Sequence, residues 1–266
     1  MKKGLIVKFL VMLALAGVVM IGSSCKKAPS ESTTEQPKEE TSGAVVQEAP
    51  KEAEPAADLA PIDIKLPKPM FVGTPQNIQV PNLEKPLGKP RPAFLAPVGT
   101  MNVALSKPDP NAPKYRDYRI SSSDEEPIIG EIEMITDGDK EAADGSYVEL
   151  GPFIQHVTID LGAKHEIYAI VMWHFHKQAR VYFDVVVQVA DDADFVNNVQ
   201  TVFNNDHNNS AGLGIGTDMH YVETSEGKLI DAKGVRGRYV RLYSGGNSNN
   251  DLNHYIEVEV YGKVAQ

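Results

Sequence analysis

Two stretches near the C-terminus constrain the fold more than any other part of this chain. In Gly237-Arg-Tyr-Val-Arg-Leu-Tyr243 and in Asn253-His-Tyr-Ile-Glu-Val-Glu-Val-Tyr-Gly262, apolar and polar residues alternate at period two. That is the pattern of a half-buried strand, with Val240, Leu242, Val258 and Val260 as core positions. Between them Ser244-Gly-Gly-Asn-Ser-Asn-Asn-Asp251 is a polar loop rich in side-chain amides. Further strands are expected at Val157–Leu161, Ala169–Phe175, Tyr182–Val189 and Val199–Phe203, separated by Asp-, Asn- and Gly-rich turns. The alternation in Phe183-Asp-Val-Val-Val-Gln-Val189 and the lone Trp173, mid-strand, belong to a core. No window carries a long, well-capped amphipathic helix. An all-β sandwich is predicted, with a barrel as second choice.

The front of the chain speaks to location. Lys2 and Lys3 precede an apolar run from Phe9 to Ile21, then Gly22-Ser-Ser24 and Cys25, the only cysteine of 266 residues. A basic start, a short apolar segment and small residues describe an export signal over residues 1–24. The cysteine placed directly after them resembles the lipobox of bacterial lipoproteins, with Gly22 where leucine is more usual. That resemblance implies lipidation of Cys25, anchoring to a membrane and a place in the bacterial cell envelope, facing periplasm or exterior. Residues 25–60 are acidic, rich in Pro, Ala, Ser and Thr and free of aromatics. Such a composition buries too little apolar surface to offset ordering entropy, so a disordered linker is expected. Over residues 61–99 prolines recur every few positions, giving either a stiff spacer or an arm lying along the domain. Regular patterning then fills residues 100–264.

Six segments in that last region match a known family in order. Asn102-Val-Ala-Leu-Ser-Lys-Pro108, Ile135-Thr-Asp-Gly-Asp139, Val157-Thr-Ile-Asp-Leu-Gly162, Val187-Gln-Val-Ala-Asp-Asp192, Arg238-Tyr-Val-Arg-Leu-Tyr243 and Glu257-Val-Glu-Val-Tyr-Gly262 resemble discoidin-like, or coagulation factor 5/8 type C, domains. The resemblance implies a galactose-binding-like jelly-roll β-sandwich. It also implies non-catalytic binding of glycans, lipids or proteins through loops at one end, as in bacterial carbohydrate-binding modules. His156 stands where an aromatic is common, the bracketing cysteine pair is missing, and residues 145–151 and 204–224 depart from the pattern.

Asp137-Gly-Asp139 offers two carboxylates in a tight turn, which suits a hard cation held by oxygens. The family resemblance implies a structural calcium there, held by Asp137 or Asp139 together with Glu257. Asn204-Asn-Asp-His-Asn-Asn-Ser210 is the densest polar run of the domain. It suits either sugar hydroxyls or a self-satisfied Asx-turn loop, and without a glutamate at the twelfth position it is no EF-hand. His174 and His176, two apart on a strand, project from one face. With His207 and His254 they could bind a divalent metal, or contact a ligand beside Arg180, or serve the framework alone.

Enzymatic motifs are missing: there is no Gly-x-Ser-x-Gly, His-Glu-x-x-His or phosphate loop. A net charge of −10 argues against nucleic acid as a partner. The sequence thus points to a lipid-anchored binding module whose expected ligand is a carbohydrate, with contacts expected from His174, His176, Arg180, Asn205, Asp206, His207, Asn253 and His254. The alternatives are a structural or protein-interaction domain of a cell-envelope complex, or a metal-binding accessory protein.

Overall fold

The computed structural model describes residues 58–71, 77–105 and 120–266. The export signal, Cys25, the linker up to residue 57 and Ser106–Pro108 of the opening motif lie outside the described residues. Among the described residues no helix is long and apolar enough to cross a membrane. The strands are β1 (Leu59–Pro61), β2 (Leu95–Pro97), β3 (Met101–Asn102), β4 (Ile120–Ser122), β5 (Val148–Leu150), β6 (Gln155–Trp173), β7 (Val186–Ala190), β8 (Gln200–Asn204), β9 (Lys228–Ser244), β10 (Asn253–Tyr255) and β11 (Glu257–Val264). One 3-10 turn, Ile132–Thr136, is the single helical element described. The expected all-β sandwich is the architecture observed.

Seven strands form the main antiparallel sheet, in the order β3-β11-β6-β9-β7-β8, with β4 beside β6. The 19-residue β6 is the spine: its first half pairs with β4, its second half with β11, and its other edge with β9 throughout. Register places Trp173, Lys228 and Glu257 at one end of the sheet and Gln155, Ser244 and Val186 at the other. On the inner face Val157 sits across from Leu242 and Ile159 from Val240, while Met172 sits across from Val258. All are buried in one cluster. Each such side chain contributes about 1.5–3 kcal/mol on leaving water, so the predicted core positions are where the sheet is held.

A second layer covers that face. β5 pairs with β10, and extended crossings run beside them. Tyr182 bridges Asn247, the Glu223 amide donates to the Arg180 carbonyl at 2.8 Å, and Leu83 bridges His220 in parallel. The chain crosses the sheet from end to end between Trp173 and Val186, and again between Asn204 and Lys228. These crossings are the sandwich's second wall.

The opposite face of the sheet is covered by the proline-rich arm, which is therefore not a free spacer. Ile62, Ile64 and Phe94 pack on Ala169, Val171, Trp173 and Tyr261. The Arg91 guanidinium donates to the carbonyls of Gly227 and Glu226 at 2.8 and 2.9 Å. Gly227 turns with φ +63° flat against Trp173, where a Cβ would come within 2.6 Å of the indole. Only glycine fits that approach. Trp173 is core, as its sequence setting predicts.

Candidate functional site

The loops that carry the predicted site residues are built from groups that mostly bond to one another. His174 is fully buried, stacked on Tyr182 at 4.2 Å, and its Nδ1 lies 2.7 Å from Glu223 Oε1. His254 is buried beside them. The Tyr182 hydroxyl meets its Nδ1 at 3.0 Å and Glu149 Oε2 meets its Nε2 at 3.0 Å. Burial, then the Arg180 charge and His174, push the His254 imidazole down to about 3, while burial pushes the Glu149 carboxyl up despite Arg180. The neutral ring therefore accepts from Tyr182 and donates to Glu149, a hydrogen bond and not an ion pair. Arg180, half-buried, stacks over Phe175 at 4.7 Å and reaches His254 at 3.5 Å.

Other predicted contacts are also framework. Asn253, fully buried, accepts from the Gly246 amide and donates to the carbonyls of Gly151 and Phe153. Asn205 accepts from the Val185 amide, and Asp206 accepts from the amides of Asn208, Ser210 and Ala211. Asp206 lies beside Asp184, whose carboxyl burial and that neighbour push up to about 6. His207 bonds the Asp218 carbonyl at 2.8 Å and Asn82 at 2.9 Å. His176 is fully buried with Nε2 on the Lys140 carbonyl at 3.0 Å.

The eight residues therefore divide instead of forming one pocket. His174, Arg180 and His254 meet around Tyr182, Asn205 to His207 lie in the next loop, and His176 supports the acidic turn. The nitrogen-ligand metal site is corrected accordingly. Its four rings are bonded to different neighbours, and among the described residues no group of three or more His, Cys, Asp or Glu is placed to hold a metal ion. His174, His176, Asn205, Asp206, Asn253 and His254 are thus buried and held by internal partners, although His174 Nε2, His176 Nδ1 and Asn205 Nδ2 are buried without one.

At the acidic turn, Glu257 is fully buried and its Oε2 accepts from the Gly138 amide at 3.1 Å. Its Oε1 is buried without a partner. Burial above all, with Glu259 and Asp137 adding repulsion, pushes this carboxyl up to about 9. Asp137 is pushed up as well, by burial first. Asp139 spends Oδ1 on the Glu141 amide. A desolvated carboxylate oxygen with nothing to bind, beside a second carboxylate, fits a hard cation.

Open surface for a ligand lies elsewhere. A groove of about 610 Å³ runs between residues 77–80 of the arm, Gln178, Ala179 and Phe183 of the first crossing, and Asn247–Asn249 of the loop after β9. Asn247 is buried and spends its amide on Asn250 and Leu252, holding the loop in shape. Asn77, Gln178, Ser248 and Asn249 are exposed. None of the described lining residues is ionisable. The sequence signal for this site was the amide-rich Ser244–Asp251 loop; Gln178 and the arm carried no signal of their own.

Three of the segments that resemble discoidin-like domains fall on strands of the main sheet: Val157–Gly162 in β6, Arg238–Tyr243 in β9 and Glu257–Gly262 in β11. The chain matches no protein-family model and no curated protein. Among solved structures, a family 89 glycoside hydrolase from Clostridium perfringens is 21% identical, over 55% of this chain and 14% of the hydrolase, with a TM-score of 0.41. The chain thus corresponds to a small part of that enzyme's length. A chitosan-binding module from a chitosanase/glucanase of Paenibacillus sp. IK-5 is 17% identical over 61% of this chain and 99% of the module, TM-score 0.42. A Streptococcus pneumoniae fucose binding module is 18% identical over 60% of this chain and 97% of the module, TM-score 0.40.

Proposed function

We propose that this domain is a non-catalytic, discoidin-like binding module that takes a neutral carbohydrate in the groove between the first crossing and the Asn247–Asn249 loop. The tether would display it from a lipidated Cys25 at the bacterial cell envelope. One observation carries the ligand class: the groove offers exposed amides and a hydroxyl next to the Phe183 ring, and no charge. Sugars are bound by such sets, hydroxyls to amides and the apolar ring face to an aromatic. Its volume lies within the roughly 300–1,000 Å³ of small-ligand sites. The ionisable pairs that acid–base chemistry would need, His174–Glu223 and His254–Glu149, are buried and mutually bonded, which supports a binding role. A neutral-glycan array with wild type and Gln178→Ala tests this. Binding that the substitution weakens at least tenfold is expected, and no binding by the wild type at high micromolar protein sinks the carbohydrate reading.

A structural calcium is part of the proposal, held by Glu257 and Asp137 with backbone oxygens completing the 6–8 ligands calcium takes. When bound it would supply the positive charge that buried Glu257 lacks. Added calcium should raise the Tm of chelator-treated wild type and leave Glu257→Gln unmoved. An equal rise in both removes Glu257 from the site.

A further inference from the structure

The groove has a wall that the sandwich itself does not make. Residues 77–80 of the arm line it together with Gln178 and Asn249. Exposure alternates along Asn77-Ile-Gln-Val80: Ile78 and Val80 are half-buried, Asn77 and Gln79 exposed. One side of this short segment therefore rests on the domain while the other faces solvent. Immediately after it, Asn82 takes a left-handed turn at φ +56°, and the chain enters the second layer. The His220 amide donates to the Asn82 carbonyl at 3.0 Å and the Glu84 amide to the His220 carbonyl at 2.8 Å. Glu84 pairs with Lys228 at 2.8 Å, and Arg91 is fixed to the carbonyls of Glu226 and Gly227. The arm is thus pinned to β9 and its approach loop at several points on the C-terminal side of the groove wall.

We infer that the proline-rich arm is a working part of the binding site, its residues 77–80 forming one side of a groove for a neutral oligosaccharide, with Asn77 as a contact and specificity residue. This rests on the carbohydrate reading above. Pro81 directly after the wall, and the hydrogen bonds of Asn82 and Glu84 with His220, limit how far it can move, so Asn77 is held ready with little ordering cost on binding. A groove lined by both the loops and the arm also selects for a ligand long enough to touch both. A single terminal sugar held by the loops alone would not need the arm.

The test uses the full chain and titrates neutral tri- and tetrasaccharides of glucose, galactose, N-acetylglucosamine and fucose by calorimetry. The variants are Asn77→Ala, the arm-releasing pair Glu84→Ala with Arg91→Ala, and Gln178→Ala. Hydrogen exchange at the Glu84 and His220 amides reports arm docking in each. Expected results are a fivefold or greater loss of affinity for Asn77→Ala and a tenfold or greater loss for the released arm, with the rest of the exchange pattern unchanged. If Gln178→Ala weakens binding while Asn77→Ala and the released arm both bind as wild type does, the arm is no part of the site and the loop reading stands. If wild type binds no sugar of the panel, the carbohydrate reading fails and this inference falls with it.

Discussion

Two loops of this domain look alike as text and differ as structure. Asn204–Ser210 and Ser244–Asp251 are both dense in asparagine, aspartate and serine. In the first, Asn204, Asn205 and Asp206 are buried, and their oxygens are consumed by backbone amides of the same loop and its neighbours. In the second, Asn247 and Asn250 accept from backbone amides of the loop and Ser248 Oγ from the Val181 amide, yet Ser248, Asn249 and Asn250 stay exposed, the first two lining the groove. The difference lies in the length of backbone each side chain has to satisfy. A long insert crossing a sheet carries many amide donors that need acceptors, and its own Asx side chains supply them. A short connection has fewer amides to satisfy, and its tip stays exposed.

The sharpest way to break this comparison is Asp206→Ala. It strands the part-buried Ala211 amide and removes one of the two acceptors of the Ser210 amide, and an unsatisfied group costs about 1–3 kcal/mol. An expected loss of about 3 kcal/mol, read as a lower denaturation midpoint with unchanged m, would mark the loop as framework; a loss below about 0.5 kcal/mol would put Asp206 back among ligand contacts. Asp184→Asn is gentler. Asp184 sits at φ +52°, which asparagine tolerates, and its folded pKa of about 6 is raised above the unfolded value. A raised carboxyl gives stability that is complete below about pH 3.8 and lost as pH rises through about 6. The wild type should therefore lose Tm relative to Asp184→Asn between pH 4 and 7, and parallel curves would show that Asp184 is not strained by Asp206.

In the other loop, Asn249→Ala should leave stability within about 0.5 kcal/mol and weaken neutral-sugar binding, as expected of an exposed tip. Smallest of all is His156→Phe. Burial and Arg241 push this imidazole down to about 4. A depressed imidazole leaves stability intact above about pH 6.5 and lost as pH falls toward 4. The variant should flatten the acid side of the Tm profile by no more than one bound proton and change nothing at pH 8.

The sheet was readable because the apolar half of each alternation faces the core: Val240, Leu242, Val258 and Val260 are all buried as their spacing predicts, although Glu257 and Glu259 between them are buried as well. Half of β9 was not. Lys228–Gly237 holds Asp231, Lys233 and Gly234 and pairs with β6 across bulges, so its alternation breaks wherever the register shifts. The arm was illegible for a related reason. Prolines suppress strand signals, and the four residues 77–80 are too few to show a period. The proposed groove was not singled out because histidine, arginine and aspartate draw the eye as chemistry-bearing types. Here the second layer covers them, and the free contacts fall to glutamine, asparagine and serine, which no spacing singles out.

One strand has a consequence in time. β11, the last strand, lies inside the main sheet between β3 and β6, and the Asn102 side chain accepts its Val260 amide at 3.2 Å. Pairings over such sequence distances form slowly. Until residues 257–264 are present, β6 has an open edge along its second half, β3 has no partner, and the buried Glu257 and Val258 have no place to go. The sheet can therefore close between β3 and β6 only once residues 257–264 are available.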